Sequence, residues 1–231
     1  LGKKIKGIIS AQSYRPAAFT EEDKETLELL AAHAVIALEN AQLFSEVQEL
    51  AITDSLTRIF NRRQFFELAD QEFDRSRRYA RPFSIIMFDI DLFKKVNDTY
   101  GHSVGDVVLQ RIAEICKGAL RDVDIIARYG GEEFVIMLPE TTATEAQLMA
   151  ERLRQLVART TMEINAIKIN ITLSFGVVEV DDSIKNTEEL LDRSDQALYH
   201  SKRTGRNCVS IWTPDMRLHE EIEKTDSHLH H

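Results

Sequence analysis

The stretch Arg128-Tyr129-Gly130-Gly131-Glu132-Glu133-Phe134 decides how this chain is read. Ile125, Ile126 and Ala127 precede it. Phe134, Val135, Ile136, Met137 and Leu138 follow, closed by Pro139. Two short runs of branched and aromatic residues joined by a glycine pair predict a β-hairpin. Most hairpin turns carry Asn, Asp or Ser beside the glycine. This one carries two adjacent carboxylates, which repel each other unless a cation sits between them. Alone, a Gly-Gly-Glu-Glu turn reads as solvated surface. A second acidic strand end upstream, Phe88-Asp89-Ile90-Asp91, changes the odds.

Working outward, Phe83 to Asp89 reads as a buried strand that delivers Asp89 at its end. Asp89 and Asp91 would share a face if the strand continued. Before it, a helix starts near Asn61, presents Phe65, Phe66, Ala69 and Phe73 on one face, and ends in Arg77-Arg78-Tyr79-Ala80-Arg81-Pro82. After it come a helical turn over 93–98, a loop over 101–106, and a helix from about Val104 to Leu120. Cys116 shares a stripe of that helix with Leu109, Ile112 and Ala113, which makes it core. Beyond the hairpin we expect a helix from about Ala143 to Arg159 and one long strand, Ile167 to Val180, with Ile169, Ile171, Leu173 and Phe175 alternating. A helix from about Thr187 to Lys202 and a short strand, Cys208 to Trp212, complete the pattern. The order β-α-β-β-α-β around a mostly antiparallel sheet is α+β and ferredoxin-like.

Acidic clusters on neighbouring strand ends suit phosphoryl or nucleotidyl transfer, in which carboxylates hold Mg²⁺ against the phosphates. Mn²⁺ is the alternative ion. The chain has no Walker-type Gly-x-x-x-x-Gly-Lys-Ser/Thr, so a triphosphate must be held otherwise. Candidates are backbone N–H groups at Phe93-Lys94, with Lys202 and Arg206. Asn97 and Asp106 bracket the loop where a base would lie.

The 231 residues suffice for one domain and part of another. The formal net charge of −9 argues against a general nucleic-acid binder. No run approaches the ~18 apolar residues of a membrane span. No signal peptide is visible, and the two cysteines make no disulfide framework, so a reducing cytoplasm fits. At the front, Lys6 to Gln12 reads as one strand, and Thr20 as the cap of a helix whose first turn holds Glu21, Glu22 and Asp23. That helix runs to about Ala51. Leu29, Ile36, Leu43 and Leu50 recur every seven residues, with His33, Asn40 and Val47 between them. Such a heptad suggests a two-helix seam in which Asn40 sets register. A second stripe (Leu30, Ala34, Ala37, Ala41, Phe44) would serve a surface helix packed on a sheet instead. The tail after Pro214 is polar, and His228, His230 and His231 read as a flexible end or a tag remnant.

Residues 52–213 resemble a GGDEF-family diguanylate cyclase, a palm-like nucleotidyl cyclase domain. The resemblance rests on Asp54-Ser55-Leu56-Thr57 with Asn61-Arg62-Arg63, on Asp89-Ile90-Asp91-x-Phe93-Lys94-x-x-Asn97-Asp98, and on Gly101-His102-x-x-Gly105-Asp106. The Gly-Gly-Glu-Glu-Phe signature and Ala197-Leu198-Tyr199-x-x-Lys202-x-x-Gly205-Arg206-Asn207 complete it. Residues 1–22 resemble the C-terminal end of a GAF sensory domain, through the strand, the helix start at Phe19-Thr20-Glu21-Glu22-Asp23 and the run Ala37-Leu38-Glu39-Asn40. Residues 23–51 would then be a signalling and dimerisation helix, pairing two chains through about 27–50.

The cyclase resemblance implies roles. Asp89, the Ile90 carbonyl, Glu132 and Glu133 would bind metal; Asp89, Glu132 and Glu133 would be catalytic. Phe93, Lys94, Asn97, Asp106, Lys202 and Arg206 would bind GTP, with Asn97 and Asp106 on guanine. Asp91, Asp98, Arg62 and Arg63 are read as structural, the two arginines as salt-bridge formers. Two GTP would condense into cyclic di-GMP and two pyrophosphates. Arg121-Asp122-Val123-Asp124 matches the family's product-binding inhibitory motif, with Arg152 as a third contact. Two rivals stand beside this reading: a catalytically silent receptor for cyclic di-GMP, and an enzyme making a mixed dinucleotide, which Asp106 disfavours.

Overall fold

The strand Phe83–Ile90 is buried along its whole length, because helices cover both faces of the sheet it centres. The computed structural model describes residues 7–216, the side chains of 42–51 excepted. Its elements in chain order are α1 (Glu21–Ile52), β1 (Phe60–Asn61), α2 (Arg62–Tyr79), β2 (Phe83–Ile90), α3 (Phe93–Tyr100), α4 (His102–Ala119), β3 (Ile125–Arg128) and β4 (Glu133–Pro139). They continue with α5 (Ala143–Arg159), β5 (Thr161–Ile164), β6 (Ile167–Asn170), β7 (Leu173–Glu179), α6 (Thr187–Arg203) and β8 (Val209–Ile211). The chain divides into two units, Leu1–Ala51 and Ile52–His231.

In the second unit six strands lie in the order β1-β3-β4-β2-β7-β8. The inner four are antiparallel in the ferredoxin-like order, and β1 and β8 add parallel edges. Alternation sorts the strand residues into two cores. Ile86, Phe88, Phe134, Ile136 and Phe175 pack under α4 and α5; Ile85, Met87, Val135 and Met137 pack under α2 and α6. Phe88 stacks on Phe134 with ring centroids 5.1 Å apart. Cys116 is fully buried in the α4/α5 core, and burial pushes its thiol up to about 12. Gly176 lets α6 lie directly on β7: a Cβ there would stand 2.1 Å from the Ser194 carbonyl oxygen and 2.3 Å from the Leu198 nitrogen.

Several expectations need correction. The single strand over 167–180 is two strands. β6 turns back to pair with β5 as a separate hairpin, and only β7 joins the main sheet. The hairpin turn is Asn165-Ala166, both at positive φ (50° and 65°), a turn chemistry normally signalled by glycine and therefore easy to miss. The two-residue β1, paired parallel to β3, is too short to leave a period in the sequence. The loop over 101–106 shrinks to Gly101 (φ 85°), and His102 already opens α4. Residues 7–12 form no strand; Lys6 lies outside the described residues. α1 starts at the expected Thr20 cap: Thr20 and Asp23 exchange hydrogen bonds, Asp23 Oδ2 accepting from the Thr20 N–H at 2.7 Å and Thr20 Oγ1 accepting from the Asp23 N–H at 3.2 Å. Leu29 and Ile36 are exposed on α1. The histidine-rich tail, and the side chains of Leu43, Val47 and Leu50, lie outside what is described.

Candidate active site at two strand ends

Asp89 pairs across the ladder with Glu133, so the sheet register itself sets the two acidic clusters side by side. Ile90 donates its N–H to the Glu132 carbonyl at 3.4 Å, closing the strand end against the turn. The Asp89 carboxyl is buried and is pushed up to about 6. Burial is the main cause and the charges of Glu132 and Glu133 add to it, while Lys202 opposes. Lys202 Nζ lies 2.9 Å from Asp89 Oδ2. The Glu132 carboxyl is also raised, by burial first and by Glu133 in addition, against the pull of Lys202. Asp89 and Glu132, both raised and both beside Glu133, with one ammonium among them, form a site that favours added positive charge. The all-oxygen donor set fits a hard dication. No three such side chains already close around one point among the described residues, and Lys202 stands at the cationic position of the cluster.

The turn between the strands is held from outside. Tyr129 and Gly130 donate their N–H groups to the Glu133 carbonyl at 2.8 and 3.2 Å. Arg128 donates Nε and Nη2 to the Gly131 carbonyl at 3.1 and 2.6 Å, and its Nη1 reaches Asp54 Oδ1 at 3.2 Å. Asp54 also accepts from the Thr57 N–H and Oγ1 at 2.8 and 2.7 Å. Burial pushes the Asp54 carboxyl up, but the Thr57 bonds and Arg128 outweigh it and hold it below the ordinary range. The Asp-Ser-Leu-Thr segment at the domain entrance is therefore a brace for the acidic turn. The local signal for this brace is an Asp three residues before a Thr, the pattern of a side-chain-capped turn. Arg62 makes ring contacts instead of the expected salt bridge. Its guanidinium lies 4.5 Å from the Tyr129 ring centroid, and Nη2 donates to Tyr129 Oη at 3.3 Å.

Asn97 sits over Gly105 at the start of α4, where a Cβ would stand 1.9 Å from Asn97 Oδ1. The α3–α4 corner thus brings Asn97 beside Gly105-Asp106, as the bracketed loop suggested, with Asp106 exposed. α3 begins after Leu92 in the left-handed conformation (φ 57°, ψ 29°) with no side-chain hydrogen bond capping its first turn. Phe93 is buried and Lys94 exposed. Arg206 is exposed in the turn after α6, whereas Lys202 is engaged by Asp89. Asp91 does not share the site of Asp89, because β2 ends at Ile90; its carboxylate bonds Ser174, Thr172 and Asn207 instead. Asp98 is exposed.

Arg121 and Asp124 come together at the start of β3. Asp124 Oδ2 accepts from the Arg121 N–H at 2.9 Å and lies 3.6 Å from Arg121 Nε. Asp124 Oδ1 is buried and has no hydrogen-bond partner among the described residues. Arg152 donates to the Ala119 carbonyl at the end of α4, two residues from Arg121. A groove of about 630 Å³ opens beside Arg121, lined also by Leu68, Arg75, Val123 and Met137.

Residues 51–208 match the family model described as diguanylate cyclase, GGDEF domain. The chain belongs to this family. It is 40% identical over 196 residues to "Diguanylate cyclase A" of Treponema denticola, covering 84% of this chain and 52% of that protein. It is also 40% identical over 163 residues to "Response regulator PleD" of Caulobacter vibrioides, covering 70% of this chain and 36% of that one. The chain thus spans about half the length, or less, of these relatives. Among solved structures it resembles the GGDEF domain of DgcB from Caulobacter crescentus in complex with c-di-GMP, with a TM-score of 0.67 and 32% identity, covering 70% of this chain and 93% of that one. The coiled coil and GGDEF domain of the same protein gives a TM-score of 0.73 at 29% identity, covering 80% of this chain and 99% of that one.

Proposed function

We infer that this chain is a diguanylate cyclase that condenses two GTP molecules into cyclic di-GMP. The observation that carries the reading is the Asp89–Glu133 register, with Glu132 adjoining, at the ends of β2 and β4. Each GTP 3′-hydroxyl attacks the α-phosphorus of the other nucleotide. A 3′-oxygen–phosphorus bond forms, the α–β bridging bond breaks, pyrophosphate leaves, and the hydroxyl proton passes to a carboxylate of the cluster. Asp89, the Ile90 carbonyl, Glu132 and Glu133 would hold Mg²⁺, which supplies Lewis-acid activation of the phosphate when bound. Lys202, paired with Asp89 here, would be free for the phosphates if a dication balanced Asp89, and would join Lys94, Arg206 and the N–H groups of Phe93-Lys94 there. Asn97 and Asp106 read guanine, since a carboxylate accepts from the N1 and N2 donors that adenine lacks.

One site holds one nucleotide, so two chains must face each other, and the exposed Leu29 and Ile36 supply a seam for that homodimer. Residues 1–22 serve as the end of a GAF-like sensor and 23–51 as the helix that passes its state on. Arg121, Asp124 and Arg152 form a product-binding inhibitory site. The buried, unpartnered Asp124 Oδ1 supports this, because an orphaned buried acceptor is costly unless a ligand donor satisfies it. A GTP-consuming reaction of this kind belongs in the cytoplasm. The test is incubation with GTP and Mg²⁺ followed by chromatography of the nucleotides. Cyclic di-GMP and pyrophosphate are expected from the unaltered chain, and Glu132→Ala/Glu133→Ala should lose at least about 100-fold in rate. Binding of cyclic di-GMP without any GTP conversion would favour the silent receptor.

A further inference from the structure

Asp91 stands two positions beyond Asp89 yet faces a different task. Its buried Oδ1 accepts from Ser174 Oγ at 2.6 Å; Oδ2 accepts from Thr172 Oγ1 at 2.7 Å and from the Asn207 N–H at 3.0 Å. The last bond reaches into the turn between α6 and β8. There Gly205, Arg206 and Asn207 have φ of 121°, 62° and 48° in succession. Left-handed backbone is strained for residues with side chains and persists where the surroundings over-determine it.

The opposite side of the turn is gripped by α5. Arg154 Nη1 donates to Asn207 Oδ1 at 2.8 Å and to the Asn207 carbonyl at 3.3 Å. Arg154 is itself locked by Glu151, with Nε on Oε2 at 2.7 Å and Nη2 on Oε1 at 2.6 Å. Gln155 Nε2 holds the same Glu151 oxygen at 2.7 Å. At the base, Arg206 donates its N–H to the Ser201 carbonyl at 3.0 Å. Asp91 Oδ2 and Arg154 Nη1 reach the turn itself, and their remaining bonds, to Ser174, Thr172 and Glu151, fix the two side chains in place.

We propose that Asp91 and Arg154 are positioning residues that clamp the Gly205–Asn207 turn, so that Arg206 is preset for the triphosphate of bound GTP. The inference rests on the reading of Arg206 as a triphosphate contact. A preset turn spares GTP the ordering of three left-handed residues on binding, so losing the clamp raises the dissociation constant for the triphosphate and leaves base recognition at Asn97 and Asp106 alone. Arg154 lies on the helix that also bears Arg152, but its role concerns substrate.

The test measures equilibrium binding of a non-cyclisable GTP analogue with an α,β-methylene bridge, and of guanosine, to the full chain with Mg²⁺ present. Arg154→Met keeps the aliphatic stem and removes the fork. It should weaken the analogue about fivefold to tenfold and leave guanosine within about twofold. Arg154→Lys, a point charge without the planar fork, should recover only part of the loss. In an Arg206→Ala background, Arg154→Met should cost nothing further, as coupled residues are non-additive. Asp91→Asn should reproduce the pattern; if it does not fold, the half-buried Arg154, whose methionine variant keeps the stem, decides. An Arg206→Ala variant with unchanged analogue affinity would sink the triphosphate reading itself. If Arg206→Ala weakens binding but Arg154→Met does not, or the two losses add, or guanosine weakens equally, the clamp is wrong and the site reading stands.

Discussion

Burial holds the Asp89 carboxyl above the ordinary carboxylate range, with consequences that titration can read. Its folded value, about 6, lies above the ~3.9 of an unfolded aspartate. Relative to the protonated form, native stability from this group is fully present below about 3.9 and is lost as the pH rises through about 6. Without metal, Asp89→Asn should therefore raise the melting temperature at pH 7–8, by a free energy on the order of 1–3 kcal/mol, and the gain should vanish near pH 4. A variant no more stable at pH 8 than at pH 4, relative to the parent, would show that Lys202 already neutralises the carboxylate. Mg²⁺ affinity should fall as the pH is lowered through about 6, because protons and the dication compete for one carboxyl. A second residue-scale prediction concerns Gly105. A methyl there would displace Asn97, whose Oδ1 would be 1.9 Å away. Gly105→Ala should raise the KM for GTP about tenfold with a nearly unchanged melting temperature, since the displaced group is the end of a flexible side chain. At this scale the sequence was informative where chemistry forces a residue type, as at Asp89 and Glu133. It was silent on Arg154 and on its bond to Asn207, since the two lie 53 positions apart and meet only through the fold.

Elements explain why the site is rigid. β2 is paired on both sides from Ser84 to Asp89, so Asp89 and Glu133 cannot slip relative to each other without breaking the central ladder. α6 is seated on β7 through Gly176, and Gly176→Ala would press a Cβ against backbone atoms of α6. It should destabilise the fold by about 2–3 kcal/mol, read as a fall in the denaturant midpoint at constant slope. The Arg128 brace is an element-scale device too, tying the turn between β3 and β4 to Asp54. Arg128→Ala should lower kcat about tenfold or more while KM changes less, because the acids are misaligned but the guanine corner is untouched. Equal changes in both would locate the effect in folding. The helices and the inner four strands were legible because their apolar periods are unbroken, as in Phe65, Ala69 and Phe73 of α2. The break at 171–172 was not legible. Ile169, Ile171, Leu173 and Phe175 alternate straight through it, and Thr172 leaves the ladder for the Asp91 carboxylate, a long-range bond no local pattern encodes.

At the scale of the whole molecule, the account requires two half-sites. Each second unit carries one set of carboxylates and one proposed guanine corner, whereas the proposed product contains two nucleotides. Leu29 and Ile36 are exposed on α1, as are Leu30 and Leu38, and the proposed dimer would use the heptad pair as its seam. Leu29→Asp/Ile36→Asp should weaken self-association and lower activity at low protein concentration, with recovery as the concentration is raised. The most direct test of the central claim is the rate of cyclic di-GMP formation from GTP and Mg²⁺ as the chain is diluted, alongside sedimentation that reports the monomer fraction. The account predicts a specific activity that falls with the dimer fraction, releasing two pyrophosphates per cyclic product. A specific activity that stays constant while monomer predominates, or the absence of cyclic di-GMP at every concentration, would contradict it.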